Sequence, residues 1–454
     1  MMILENGNVF KKIVLIYIGA KIMRKTLFFS LIIGAVALLS FGIVSAQDEM
    51  PYAGTTVTIF GAYTEPAEVN AFVAGFAPFE EATGIDVVYE GSSDFETLIT
   101  ARIEGNNAPD IAGFPQPGLM KRFAGTAVDL NTVFDEGYMQ EQYNQSWIDM
   151  ATLPTGEVIG IWNRAIVKSL VWYSPACFTE AGYTVPTTWD ELLTLTDQIV
   201  ADGGYPWYAP MESGGATGWV GTDWIEDIML RTTSLENYDN WSVPVDLDSR
   251  LPFASPEVMN AFEIMGSFLL NESYIYGGTI STLNDRFFDT GVPLLTCDAF
   301  LAKQGSYMPG WLLEDYPDLT IGAEGDLNYF YFPAIDEMYG EPVLTGGDVY
   351  SLYNDRPEVR EVLKFMTSAV SIEPSILAGT FLSPHLDANL DLFDDANRGI
   401  AEILLNADSV RFDASDLMPG AVGAGSFWSG VVDYISGDDL DGILTGIDAA
   451  WPTE

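Results

Sequence analysis

The chain has 454 residues, 48% of them hydrophobic and 13% aromatic, with 65 acidic residues against 19 basic ones. A formal charge of −46 repels nucleic acid and anionic lipid, so neither is expected as a partner. The apolar content excludes a disordered chain, and roughly 400 residues beyond an N-terminal leader exceed what one core supports, so two lobes are expected.

The leader comes first. Residues 26–46 are almost wholly apolar, Lys21, Arg24 and Lys25 precede them, and Val44-Ser45-Ala46 forms a small-residue cleavage pattern before Gln47. This predicts a signal peptide over 1–46 and an exported protein, in the periplasm or on the outer face of the cytoplasmic membrane. The run is about long enough to span a bilayer, so a retained N-terminal anchor is the alternative. No cysteine lies near the cleavage point, which gives no support to a lipid-anchored form. Removal of the leader would leave 64 acids and 14 bases.

A βαβαβ pattern follows. A β-branched strand is predicted over 57–60, and a helix opens at Pro66 with Val69, Phe72, Val73, Phe76 and Phe79 at helical spacing, ending at Gly84. A strand over 85–90, a helix over Phe95–Glu104 and a strand over 110–114 complete the unit. Such a unit implies a parallel sheet with right-handed crossovers. Its loops carry Tyr63, Glu65, Ser92, Ser93, Asp94, Gln116 and Pro117, and ligands of such sheets bind outside the carboxyl ends of the strands.

Further along, strands are predicted over 158–162, Leu170–Tyr173, 292–296 and 329–332. Thr188-Trp-Asp-Glu191 is a capping box opening a helix to Asp202. Ser255-Pro256 and Arg356-Pro357 open two more helices. Gly214-Gly215-Ala-Thr-Gly218-Trp219 and Gly423-Ala-Gly-Ser426-Phe427-Trp428 read as glycine-rich loops presenting an aromatic. Asp298, at the end of an apolar strand, needs a partner, and Asp348 follows two glycines that let the backbone approach a ligand. Ligand-binding candidates are therefore Tyr63, Glu65, Ser93, Gln116, Trp219, Asp298, Asp348 and Trp428. Trp224 reads as core. Cys177 and Cys297 both follow the leader, where oxidation is allowed; a disulfide and two buried thiols both stay open.

Little catalytic chemistry is available. His385 is the sole histidine, so there is no multi-histidine metal centre, and there is no Gly-x-Ser-x-Gly to accompany a triad. Asp395-x-Asn397-x-Gly399 has only part of a calcium-loop pattern. No cofactor and no metal is expected. A carboxylate pair of the glycosidase kind is the enzymatic alternative.

Several motifs together resemble one family. The first helix ends in Glu-Ala-Thr-Gly84 before Ile85-Asp86-Val87; Asn107-Ala108-Pro109-Asp110-Ile111, Ser169-Leu-Val-Trp-Tyr-Ser174 and Pro186-Thr-Thr-Trp189-Asp-Glu-Leu192 follow, then Gly346-Gly347-Asp348. In this order they resemble the extracellular solute-binding proteins of ABC importers, in the group that binds maltose, alpha-glucosides and oligosaccharides; the family's Tyr-Asn crossing has Ser174 in place of Asn. The resemblance implies an α/β, two-lobed periplasmic-binding-protein fold of type II with several inter-lobe crossings. It places one lobe at 53–166 plus 334–370 and the other at 167–333 plus 371–454. It further implies a monomer with no chemistry of its own, which closes on a sugar and delivers it to the membrane permease subunits. It makes Gly346-Gly347-Asp348 a ligand-facing loop. Asp110, after a proline at a strand start, and Trp189, in the first turn of a helix, are family positions that read as structural. A cationic solute is the alternative ligand.

Overall fold

The computed structural model describes residues 50–378 and 381–452; the leader read from the sequence lies outside the described residues. Nine strands are described: β1 (Thr56–Gly61), β2 (Asp86–Gly91), β3 (Ile111–Phe114), β4 (Ile161–Val167), β5 (Leu170–Tyr173), β6 (Ala302–Lys303), β7 (Asn328–Tyr331), β8 (Pro342–Leu352) and β9 (Ser409–Phe412). Six of them make one sheet in the order β2-β1-β3-β8-β4, with β9 on β8; β6-β5-β7 make a second.

The opening βαβαβ unit sets the first sheet. β1 lies parallel between β2 and β3, with Ile59 opposite both Tyr89 and Ile111. Val57, Ile59 and Phe60 are buried, as their apolar character requires. The predicted single helix after β1 is two, Pro66–Ala74 and Ala77–Thr83. The break falls at Gly75, where a Cβ would collide with the Ser371 carbonyl oxygen, so close packing by another segment overrides helical periodicity. Asp110 ties the start of β3 to β1 and to the segment after β8: its carboxylate accepts from Thr58 N at 2.9 Å, Asn354 Nδ2 at 3.0 Å and Arg356 Nη2 at 2.8 Å.

β4 and β8 carry the chain between cores. β8 runs antiparallel to β3, with Ile111 opposite Leu352, and to β4, with Ile161 opposite Tyr350; its first residues run parallel to β9. Along β8, Leu344 belongs to one buried cluster, with Trp224, Phe262 and Phe332, while Val349 belongs to another, with Ile59, Phe95 and Trp162. β4 passes in the same way from Trp162 to a third cluster at Ala165–Val167. Phe412, at the end of β9, packs in the core around the first sheet, and Ala414, two residues on, packs with Trp224. Three strands thus span the region where the clusters meet.

Several local expectations change. The segment over 158–162 becomes strand only at Ile161. Residues 292–296, read as a strand, form a short helix, Val292–Leu295, with Pro293 in its first turn; proline suits that position and denies a strand its N–H. Gly346-Gly347-Asp348, read as a loop, lies inside β8. The segment Val422–Phe427 is one π-helical turn feeding the helix Trp428–Ser436. The Thr188–Glu191 capping box is present in both directions, and Asp395 and Asn397 lie in the first turn of a helix rather than in an ion-binding loop. Cys177 and Cys297 are joined in a disulfide with Cα atoms 5.5 Å apart. No helix among the described residues is long and apolar enough to cross a membrane.

Candidate ligand-binding cavity

Three loops following parallel strands form one wall of a cavity of about 150 Å³, room for roughly ten water-sized groups. Tyr63 and Thr64 follow β1, Ser92 and Ser93 follow β2, and Pro115 and Gln116 follow β3. Tyr63 is fixed on two sides. Its hydroxyl shares a 2.8 Å hydrogen bond with that of Tyr350, and its ring stacks under the Arg164 guanidinium at 4.0 Å. Gln116 donates Nε2 to Glu96 Oε1 at 3.1 Å, and its own Oε1 is buried without a partner.

The floor comes from β4 and β8. Arg164, Ile166 and Lys168 alternate along the chain and so share one side, and all three border the cavity with Gly347 and Asp348 of β8. Gly347 is required there, since a Cβ would sit 2.6 Å from the Arg164 carbonyl oxygen. Arg164 pairs through Nη1 with Glu68 at 2.6 Å and through Nε with Asp348. Lys168 Nζ pairs with Asp223 at 2.8 Å and Asp413 at 2.5 Å. All six side chains of these two groups are at most 12% exposed.

The opposite wall is aromatic. Trp219, in the first turn of the helix Trp219–Thr232, meets Phe287 at 5.1 Å between ring centroids. Trp311 meets Phe287 at 4.9 Å, Phe288 at 5.2 Å and Tyr307 at 4.9 Å. Trp428 completes the wall and is 2% exposed. Gly218 stands at φ +114°, a conformation glycine adopts without strain, and a Cβ there would strike the Trp428 carbonyl. Trp219 and Trp428 are thereby brought to one place.

Burial and charge divide the carboxyl groups of this region. Burial lifts Glu96 to about 7. Burial, then the Asp413 carboxylate, lifts Asp416 well above its usual range. Burial is the largest influence on Asp413 and opposes its ionisation, but the Lys168 ammonium together with hydrogen bonds from Lys168, Asp223 and Asp416 N outweighs it and holds that group at about 2. Glu226, next to this network, accepts from Ser415 N at 2.9 Å while its other oxygen has no partner, and burial followed by the Asp413 charge pushes it well upward. Oxygens of Asp223, Glu226 and Asp413 lie within 4.8 Å of one another. The Lys168 ammonium already bonds two of the three, so the group is an ion-pair network in which an ammonium supplies the positive charge a metal would bring.

Of the residues singled out in the sequence, Tyr63, Ser93, Gln116, Trp219, Asp348 and Trp428 border the cavity. Glu65 and Asp298 do not. Glu65 caps no backbone N–H and pairs instead with Arg286 at 2.8 Å. Asp298 is exposed after the short helix and accepts from Thr296 Oγ1 at 2.7 Å, so its partner is a neighbouring hydroxyl rather than a buried site. His385 bonds Ser383 Oγ at 2.9 Å and the Met366 carbonyl at 3.2 Å, and burial lowers it to about 4. It is a neutral structural pin, with no carboxylate bonded to it among the described residues.

Residues 62–262 match the model of the family described as bacterial extracellular solute-binding protein. The osmoprotective compounds-binding protein GgtB of Synechocystis sp. is 44% identical over 381 residues, 83% of this chain and 88% of its own. The chain belongs to this family. The alpha-glucosides-binding periplasmic protein AglE of Rhizobium meliloti is 36% identical over 411 residues, 88% of this chain and 87% of its own. Among solved structures, the bacterial solute receptor AcbH superposes with a TM-score of 0.73 at 17% identity, covering 87% of this chain and 97% of that one, and maltose-bound MalE3 of T. maritima with 0.67 at 15%, covering 87% and 98%. These neighbours carry the two-lobed α/β fold. The chain is a solute-binding component of an ABC importer, a binding protein and not an enzyme.

Sequence reasoning missed Arg164, Lys168, Glu68, Glu96, Asp413 and Asp416, all bordering the cavity. One signal existed: Arg164 and Lys168 flank the apolar run Ala165-Ile166-Val167, and bases in a buried strand need carboxylate partners. The aromatic wall at Phe287, Phe288, Tyr307 and Trp311 gave a weaker one, because adjacent aromatics read equally well as core.

Proposed function

We propose that the protein binds a small sugar or glycoside, of the alpha-glucoside class, between its lobes outside the cytoplasm and delivers it as a monomer to the importer's permease. We take the lobes as 53–166 plus 334–370 and 167–333 plus 371–454. The observation that carries this reading is one cavity pairing aromatic faces with spare acceptors. Trp219 and Trp311 offer surfaces for the apolar face of a pyranose. The Asp416 carboxyl, 7% exposed, takes no hydrogen bond from the described residues. A ligand rich in hydroxyls supplies what that carboxyl lacks. The cavity volume of about 150 Å³ favours a ligand of one or two rings over a long oligosaccharide. The names of the two relatives, which bind osmoprotective compounds and alpha-glucosides, support the same class.

Titration calorimetry with methyl α-glucoside, maltose, trehalose and sucrose tests it; at least one binds in the micromolar range or tighter. Binding of none of these would sink the sugar reading. A second reading, a cationic osmolyte, draws on the same surplus of carboxyl groups beside aromatic faces. Glycine betaine and a polyamine in the same series discriminate it, since a cation gains affinity as Glu96 ionises near pH 7.

A further inference from the structure

The cavity has two cations, and neither has its charge to itself. Arg164 sits between Glu68 and Asp348, and Lys168 between Asp223 and Asp413. Each trio carries one net negative charge when ionised. The partners come from different elements: Glu68 from the helix after β1, Asp348 from β8, Asp223 from the helix Trp219–Thr232 and Asp413 from the residue after β9. A lone buried ammonium would invite an anionic ligand; an ammonium between two carboxylates does not.

We propose that Lys168 and Arg164 are specificity-determining positioning residues, which hold Asp413 and Asp348 as oriented acceptors so that the cavity recognises hydroxyl donors and turns away anionic solutes. This rests on the sugar reading and adds the means of its selectivity. Lys168 acts through Asp413, and Arg164 through Asp348, whose Oδ1 takes no hydrogen bond from the described residues while Oδ2 accepts from Arg164. Asp413 is fixed twice more, by Ser415 Oγ at 2.8 Å and Asp416 N at 2.9 Å. Groups facing Lys168 from every packed element are Asp223, Asp413, Asp416, Glu226, Tyr307 and Lys303. Lys168 is the cation that pairs with Asp413, since Lys303 bonds the Lys168 and Asp223 carbonyls and Asp227 instead.

The test compares the native protein with three variants: Lys168→Met/Asp223→Asn, which removes one charge of each sign, the isosteric Asp413→Asn, and Lys168→Arg. The probes are the tightest neutral glucoside of the calorimetric panel and the same glucoside oxidised to the 6-uronate. The native protein binds the uronate at least ~30-fold more weakly. Its Asp413 stays ionised throughout pH 4–8 in a carboxyl carbon NMR titration, which needs no ligand. In the double variant the Asp413 titration moves upward and affinity for the neutral glucoside becomes pH-dependent, while Lys168→Arg restores the native profile. Asp413→Asn loses the neutral glucoside at least ~tenfold and narrows the discrimination against the uronate. Equal binding of glucoside and uronate overturns the inference, as does an unmoved Asp413 titration in the double variant. Failure of every sugar overturns the underlying reading instead, and the NMR titration still decides the role of Lys168.

Discussion

The two walls of the cavity are held by different physics. On the side of β1, β2 and β3, the side chains sit on short loops at the carboxyl ends of parallel strands, and the sheet positions them. On the far side, Trp219 and Trp428 stand at helix starts that no strand end aims, and Asp413 and Asp416 lie in the turn after β9, whose carboxylates still need orienting. Buried ion pairs and close glycine contacts do that work. The first wall is placed by topology, and the second by charge compensation. It follows that single substitutions in the loops affect the ligand, while single substitutions among the buried charges affect ligand and fold together.

The strongest way to break this contrast is Lys168→Met. Removing the ammonium leaves Asp223 and Asp413 buried without their cation, which costs about 3–5 kcal/mol of stability. Chemical denaturation checks it. Gln116→Ala on the other wall, where the Gln116 Nε2 bonds Glu96, costs about 1 kcal/mol. Equal losses at the two positions would show that both walls are held alike. Next in size is Trp219→Ala, which removes an aromatic face and lowers ligand affinity by about 1–2 kcal/mol, or roughly 5–30-fold, as read by calorimetry; a sugar series with unchanged affinity would remove Trp219 from the site.

The contrast also governs what could be read from the sequence. β1–β3, their two crossovers and the loop residues Tyr63, Ser93 and Gln116 follow from hydrophobic period and from a general rule about parallel sheets, both local in sequence. The pairing of Lys168 with Asp223 and Asp413 joins residues 55 and 245 positions apart, and no local pattern encodes it. Trp219 and Trp428 were legible as aromatics beside glycines, but their meeting depends on the Gly218 contact with the Trp428 carbonyl. Asp298 shows the opposite error: a run of apolar residues read as a strand became a helix because Pro293 fits a helix start, and the acid at its end went to solvent.

Glu96 sharpens the comparison on the loop side, where this half-buried carboxyl pairs with no cation among the described residues. Burial raises it to about 7 from an ordinary 4.5. Between these values the folded protein keeps a proton that the unfolded chain has lost, so this group makes stability fall as pH rises from about 4.5 to 7, with no further change above. Glu96→Gln removes that slope and raises stability at pH 7.5 by about 1 kcal/mol, after allowance for its contact with cavity solvent. Thermal melts of both proteins from pH 4 to 8 read it; parallel profiles would mean that Glu96 titrates normally.

The smallest effect belongs to the rim. Glu65 and Arg286 come from residues 221 positions apart and pair at 2.8 Å, with the arginine side chain 55% exposed. An exposed pair of this kind contributes at most about 1 kcal/mol and is screened by salt. Arg286→Gln therefore weakens ligand binding no more than about fivefold at low ionic strength, and the difference disappears near 0.5 M salt. Lys168, with its side chain 6% exposed and paired on both sides, is screened much less, so most of the stability lost in Lys168→Met persists at the same salt concentration. Measuring both variants across one salt series separates a contact that fastens the surface from one that builds the interior, and salt-sensitive loss at Lys168 would place it with the rim.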